Sequence, residues 1–523
     1  MDKVIDQLKS KLEYLEREKQ NWNNLWQTVS DYVMPILGNF TNKRTQGMEI
    51  NKKIFDDTPT IAAEMLAASL HGSLTNPSVE WFNLSVKDDL GQGEATYLED
   101  VKDAVATAIN APEAGFATNI HEVYRDLTVL GTGCLYLTWN EEEEALRFQA
   151  IPLEQICIDE DAVGNISEVH RKFHWTIDKI EEIFGVEAIP ESIRLKNDNN
   201  DKYTIVHTVR RKKINDEKPF ESIYWMPEEG VILSTSSYYE MPYFVPRWSK
   251  ASTEIYGRSP AINSLADIRM LQELMKETII SVQLSNRPPL LVPNDDTHNP
   301  IDIYPNALIR YRNGQAPQPL QLVNRPDTAF SFMQDLRDRI RHAFYVDALS
   351  FEASPQKTAT EIIQRVSERN KLMLPIMARL QTDLLEPMVI RAYKLLERHG
   401  MLPEMPQNIT QIDVEYTGTL AMAQKTSQLE RYLSLIQYVA PFIQLNPNDA
   451  RMIDTEAVIR DISDGLGVKF AIKDHNVIEE ADMAQAQQVQ EQQNLQNQMT
   501  MEDIKGKQIQ NQQAQMQMAN NGM

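Results

Sequence analysis

Residues 264–289 read SLADIRMLQELMKETIISVQLSNRPP, and residues 326–346 read PDTAFSFMQDLRDRIRHAFYV. In the first stretch Leu265, Ile268, Leu271, Met275, Ile279 and Val282 recur at helical spacing, and Asn286-Arg287-Pro288-Pro289 stops the pattern. Ser264, three residues before Asp267, predicts a capping box at the start. In the second, Asp327-Thr328 opens a helix with Phe332, Met333, Leu336, Ile340 and Phe344 on one face. Between them stand Pro293, Pro300, Pro305, Pro317, Pro319 and Pro326. Proline removes a backbone donor and clashes with the preceding turn, so this segment reads as a loop-and-strand module. Two helices flanking a proline-rich insert are the feature on which the fold turns.

On the C-terminal side a loop over 347–357 contains Ser354-Pro355. Thr358 and Glu361 predict another capping box, opening a helical pattern that runs to Gly400. At about 1.5 Å per residue that element would span roughly 60 Å if straight. Pro375 and Pro387 lie inside it and predict kinks. So long an element needs an extended body or neighbouring copies to lie against. Mixed structure follows, with Ile412–Tyr416 as a strand and helices near 425–441 and 454–464. From Glu479 the chain is Gln-rich, a composition that buries no core by itself and reads as a frayed or disordered helix ordered by partners.

On the N-terminal side residues 2–33 read as one helix with Val4, Leu8, Leu12, Leu15, Trp22, Leu25 and Val29 on its apolar face. Trp22, Trp26 and Tyr32 widen that face and are read as core. A second helix starts at Asp57-Thr58-Pro59, where proline lacks only a donor that is unpaired anyway, and runs to Gly72. Trp81–Leu84 reads as a short strand, and 97–111 and 116–130 as helices. From Gly131 to Trp248 the period changes to alternation, rich in β-branched and aromatic residues, which predicts antiparallel hairpins. The acidic run Glu141–Glu144 is read as a solvated hairpin tip. The class is therefore α+β, mainly α.

The 523 residues carry 52 Lys+Arg against 75 Asp+Glu, a net charge of -23. That excludes a duplex binder that works by neutralising many phosphates, but not a protein that lets DNA pass without holding it. The charge is uneven: 27 acidic against 13 basic residues over 1–160, but 13 against 15 over 287–400. A stalk facing a polyanion, with an outer body that keeps the assembly soluble, would account for this. Cys134 and Cys157 are too few for a disulfide framework and point to a reducing compartment. No signal peptide or apolar run of about 18 residues is present, so no membrane is expected.

Catalytic motifs are lacking. There is no GxxxxGK[ST] loop, GxSxG elbow or HExxH helix. Gly131-Thr132-Gly133 and Asp464-Gly465-Leu466-Gly467 read as turns. His170 and His174 share a strand face but lack a third ligand, and Asp461, Asp464 and Gly465 lack the calcium-loop series. Asp56-Asp57 and Asp295-Asp296 would need further acids from elsewhere to hold two metals. No enzyme activity, metal or cofactor is expected.

Several segments together resemble the portal, or head-to-tail connector, proteins of T7-like short-tailed bacteriophages. They are Asp57-Thr58-Pro59, Leu74-Thr75-Asn76-Pro77 with Trp81-Phe82-Asn83-Leu84, and Met241-Pro242-Tyr243-Phe244-Val245-Pro246-Arg247-Trp248. Next come Tyr256-Gly257-Arg258-Ser259-Pro260-Ala261, Ser264–Ile268 and Arg287-Pro288-Pro289. Thr358-Ala359-Thr360-Glu361-Ile362 and Gly418–Gln424 complete the set, in the family's order, over about residues 20–430.

The resemblance implies a portal fold of wing, stem, clip and crown around a central channel. Residues 1–258 would be N-terminal helices and wing, 259–287 and 327–346 the stem helices, and 288–326 the clip. The tunnel loop would be 347–357, the long kinked wing helix 358–400, the crown 401–478, and the tail 479–523 a barrel helix or disordered. It further implies a homo-dodecamer at one capsid vertex of the virion, assembled in the host cytoplasm. Viral double-stranded DNA would pass transiently during packaging and ejection. A terminase packaging motor, a tail adaptor, and the major capsid and scaffolding proteins would be partners. Lys357, Arg337, Arg339 and Arg341 are the DNA-channel candidates; Arg310, Arg312 and Asn313 are candidates for docking motor and adaptor at the clip. The alternatives are another virion component, such as an internal scaffold or ejection protein, and a hydrolase or nuclease.

Overall fold

The computed structural model describes residues 2–286 apart from 43, 46, 79, 87–91, 195–200 and 213–215, together with 290–291, 318–319, 326–346, 373–406, 412–416 and 506. The chain divides into two compact units, Met1–Ala421 and Met422–Met523, and the architecture below is that of the first.

Helix α1 spans Asp2–Val33, as its apolar spacing predicts. Its two halves pack differently. Leu8, Leu12 and Leu15 lie against a five-stranded sheet, whereas Trp26, Val29 and Val33 enter the helical core. Trp26 is fully buried and donates its indole N–H to the Leu130 carbonyl at 3.0 Å, so the tryptophans are core. Helix α2 (Thr58–Leu74) packs on α4 (Phe116–Leu130), and α3 (Gln92–Asn110) follows β1 (Phe82–Ser85). The cap of α2 differs from expectation. Asp57 makes no side-chain capping bond; Asp56 Oδ1 accepts from the Thr58 N–H at 3.0 Å.

The stretch from Gly131 to Trp248 forms antiparallel hairpins, as predicted. Strands β4 (Ile156–Glu160), β5 (Ile166–Thr176), β6 (Lys202–Arg211), β7 (Phe220–Met226) and β8 (Val231–Tyr238) form an antiparallel meander in that order. Because strand side chains alternate, Val206, Ile223 and Trp225 meet α1 on one face, while Phe173, Ile205 and Met226 face the other. Helices α5 (Ile177–Phe184) and α6 (Glu191–Arg194) cover that second face with Ile177, Ile180 and Ile193. A smaller sheet orders β3 (Ala145–Ala150), β2 (Leu135–Asn140) and β9 (Tyr243–Phe244), and Glu141–Glu144 is the β2–β3 turn with four exposed residues.

Helix α7 (Pro260–Asn263) leads into α8 (Leu265–Asn286), which packs on α9 (Pro326–Ala343). The serine that caps is Ser259, accepting from the Ile262 N–H at 2.9 Å; the Ser264 hydroxyl instead donates to the Pro260 carbonyl. The predicted capping box at Ser264 is thus replaced by α7, whose own last turn claims that hydroxyl. Between α8 and α9, β10 (Leu290–Leu291) pairs antiparallel with β11 (Gln318–Pro319), so the two ends of the proline-rich insert are joined. Near 344 the helix ends, and Tyr345 adopts φ 59°.

Residues 373–380 are helical, 381–385 form a π-turn, and α10 spans Glu386–Arg398. The Glu386 N–H reaches back five residues to the Gln381 carbonyl. A regular turn here would press the Pro387 ring onto the Asp383 carbonyl; the wider turn relieves the clash. The irregularity near Pro387, where a kink was expected, is this π-turn, while Pro375 sits in helix that continues beyond it. Strand β12 (Asp413–Tyr416) pairs with β1, so this late strand belongs to the N-terminal body.

Candidate functional site

The α8–α9 pair has a buried root and an exposed outer half. At the root Gln272 is buried; its Oε1 accepts from the Phe55 and Asp56 N–H groups at 2.7 and 2.9 Å, and its Nε2 donates to the Asp56 carbonyl at 2.7 Å. Arg337 on α9 donates through Nε and Nη2 to Asp56 Oδ2 at 2.9 and 2.8 Å. Burial pushes the Asp56 carboxyl up, but the Thr58 hydrogen bonds and the Arg337 guanidinium outweigh it and hold the group below the ordinary carboxylate range. Met333, Leu336, Ile340 and Phe344 are fully buried beneath this clasp.

Farther out the pair loses its cover. Ile279, Ile280, Val282 and Leu284 on α8, and Phe330 and Phe332 on α9, are 38–50% exposed. Large apolar side chains left exposed on two neighbouring helices are the kind of surface that another chain can cover. Of the predicted basic residues, Arg337 is engaged with Asp56, whereas Arg339 and Arg341 stay exposed beside Asp335 and Asp338, each at 3.5 Å. Lys357, Arg310, Arg312 and Asn313 lie outside the described residues, as do the loop 347–357, the Thr358–Glu361 box, Asp295-Asp296, Asp461, Asp464, Arg287-Pro288-Pro289 and Gly418–Gln424.

Motif words from distant parts of the sequence meet at one junction. Gly131 ends α4 at φ 83°, and a Cβ there would lie 2.5 Å from the Gly257 carbonyl oxygen and 2.6 Å from the Ser259 nitrogen. Gly257 in turn faces the Gly131 carbonyl. Thr132 Oγ1 accepts from the Gly257 N–H at 2.8 Å, the Ser259 hydroxyl donates to the Val129 carbonyl at 2.7 Å, and the Trp248 N–H to the Gly131 carbonyl at 2.9 Å. The carbonyls of Pro242 and Pro246 accept from Leu137 and Gly133. These words thus splice the helical core, the β2–β3–β9 sheet and the start of α7, and Gly131-Thr132-Gly133 is the turn it was read as.

No reactive centre is apparent among the described residues. Ser222 Oγ lies 2.9 Å from His207 Nε2, and His207 Nδ1 lies 2.6 Å from Tyr243 Oη, but Ser222 and His207 are buried under a stacked Tyr224 ring. Burial pushes His207 down to about 3, so it is a neutral core group. His170 is buried against Thr208 while His174 is exposed, and no three His, Cys, Asp or Glu side chains among the described residues converge to hold a metal. No described helix is long and apolar enough to cross a membrane.

A family model for the bacteriophage head to tail connecting protein matches residues 5–472. This chain belongs to that family. Relatives named as portal proteins agree along most of their length. The probable portal protein of Bordetella phage BPP-1 is 26% identical over 82% of this chain and 81% of its own. That of Salmonella phage epsilon15 is 24% identical over 88% and 87%, and that of Escherichia phage T7 25% over 66% and 67%. The connector's root clasp escaped sequence reasoning. Asp56 was noted only for its neighbour Asp57, and its partners lie 216 and 281 positions away. The one signal was Asp56 standing two residues before a helix start.

Proposed function

We propose that this connector forms a closed dodecameric ring at one capsid vertex, the conduit through which the genome is packaged and ejected. The observation that carries the reading is the set of exposed large apolar side chains on the outer half of α8 and α9, which a lone subunit would leave in water. A ring needs such a face on every copy, because head-to-tail contacts close when the rotation between copies closes. The buried Gln272–Asp56–Arg337 root would fix the angle at which each stem leaves its subunit.

The wall is proposed to touch DNA weakly and to catalyse nothing. Twelve chains at -23 would carry 12 × -23 = -276 charges, a field that repels the phosphate backbone. Local basic rings from Lys357, Arg337, Arg339 and Arg341 would supply brief contacts, with Arg339 and Arg341 favoured by their exposure and Arg337 drawn toward Asp56. ATP hydrolysis would come from a separate terminase motor. That motor and then a tail adaptor would dock at the clip, around Arg310, Arg312 and Asn313. The major capsid and scaffolding proteins would surround the wing during assembly in the host cytoplasm.

Imaging and native mass measurement of the purified chain test the reading. Annular particles with a central hole are expected, at about twelve times 60.1 kDa. Rods or monomers at high concentration would favour an internal scaffold or ejection component instead. No turnover is expected with ATP, or with DNA and magnesium.

A further inference from the structure

Helices α2 and α4 each bring one histidine to the seam between them. The His71 and His121 rings lie 5.9 Å apart, centroid to centroid, and cross at 81°. Both are half-buried, at the rim of the helical core rather than inside it. An imidazole nitrogen binds a borderline divalent cation at about 2.0–2.1 Å. With that bond length, two imidazoles on one cation hold their ring centroids about 5–6 Å apart, the spread reflecting the angle at the metal. The observed separation falls within that span.

The surroundings steady one ring and leave its outer nitrogen free. His71 Nδ1 lies 3.3 Å from Thr75 Oγ1, and that hydroxyl lies 3.2 Å from the Oη of the buried Tyr124. Run outward from the ring, with Nδ1–H donating to Thr75 and Thr75 to Tyr124, this chain leaves the His71 Nε2 lone pair unused. A ligating histidine is ordinarily supported in this way, through the ring nitrogen opposite the metal. Among the described residues His121 makes no hydrogen bond, and its ring contact is His71. Glu64, about two turns earlier on α2, is committed to Arg125 at 3.0 Å. No third His, Cys, Asp or Glu joins the pair among the described residues, so solvent fills the remaining positions.

We propose that His71 and His121 form an open two-histidine site for a borderline divalent cation such as Zn²⁺, which staples α2 to α4. Imidazole suits Zn²⁺, Ni²⁺ and Cu²⁺, whereas Mg²⁺ and Ca²⁺ seek oxygen. The metal acts on stability, because the unfolded chain does not hold the two rings together. The site lies within one chain and does not depend on how copies associate.

Zn²⁺ titrated into the full-length, chelator-treated protein tests this by calorimetry and thermal unfolding. The parent is expected to take up Zn²⁺ and to gain melting temperature as Zn²⁺ rises. His71→Ala and His121→Ala should each lose one Zn²⁺ equivalent per chain together with that gain. Retention of the equivalent by either variant overturns the proposal. So does a parent that takes up no Zn²⁺, or one that Mg²⁺ stabilises equally. Should a variant fail to fold, the parent alone decides, through diethyl pyrocarbonate modification read by peptide mass spectrometry. At Zn²⁺ about ten times its half-saturating concentration, modification of both His71 and His121 should slow about tenfold. An unchanged rate at either histidine overturns the site.

Discussion

At the scale of single residues, a few buried groups hold the connector's parts together. Arg337 is the clearest. Arg337→Ala would leave the Asp56 carboxylate buried without its cation, a change worth roughly 3 kcal/mol, and urea unfolding at neutral pH would read it. Asp56 holds its proton less tightly folded than unfolded, so the stability it contributes is fully present above the ordinary carboxylate range near pH 4. It is lost as pH falls through the lower folded value. Arg337→Ala should therefore flatten the acid limb of the stability profile, and an unchanged limb would refute the clasp. Gly257 is constrained by space, since a Cβ there would strike the Gly131 carbonyl. Gly257→Ala should cost about 2 kcal/mol or more, seen as a lowered unfolding midpoint.

Among elements, the α8–α9 pair divides its labour along its length. Its root is satisfied by Gln272, Asp56 and a fully buried Met333–Phe344 face, while its outer half keeps Ile279, Ile280, Val282, Leu284, Phe330 and Phe332 in solvent. A charge at an exposed apolar site disturbs association far more than subunit folding. The double variant Ile280→Asp, Phe332→Asp should abolish rings in particle images, while circular dichroism and the subunit melting temperature stay within about 0.5 kcal/mol of the parent. Intact rings from that variant would move the subunit interface elsewhere. The π-turn before α10 shows a different economy: Pro387 forbids a regular turn, and one extra residue accommodates it without ending the helix.

For the whole molecule, charge distribution matters more than any single contact. In the proposed ring, the acidic N-terminal 160 residues would lie outside and the near-neutral 287–400 region would face the phosphates within. Lys357→Glu, and Arg339→Glu with Arg341→Glu, should each reduce DNA packaging or retention in assembled particles, with ring formation unchanged. If packaged genome length and retention match the parent, those residues do not face the channel. Binding of the isolated ring to duplex DNA should be weak and fall with salt, the slope counting the few phosphates contacted at once.

Periodicity and composition, punctuated by proline and glycine, determined most of the described elements of this chain. Apolar residues spaced three and four apart in α1, α4 and α8, alternation in β2, and the β-branched and aromatic runs of β6 and β7 are local properties that any packing must satisfy. The ordered motif words carried the connector family too, and those at 242–248 and 257–259 meet at one junction of backbones. Only the tertiary structure decided that Asp56, not Asp57, caps α2, that Ser259 supplants Ser264, and that Arg337 turns toward the body of its own chain. It also decided that β12 pairs with β1 across more than three hundred residues. The Asp56 and Ser259 bonds are local choices between neighbouring candidates, whereas the Arg337 and β12 outcomes depend on which groups meet after distant segments collapse together. A hydrogen bond or ion pair formed across the fold leaves no periodic trace in the sequence that makes it.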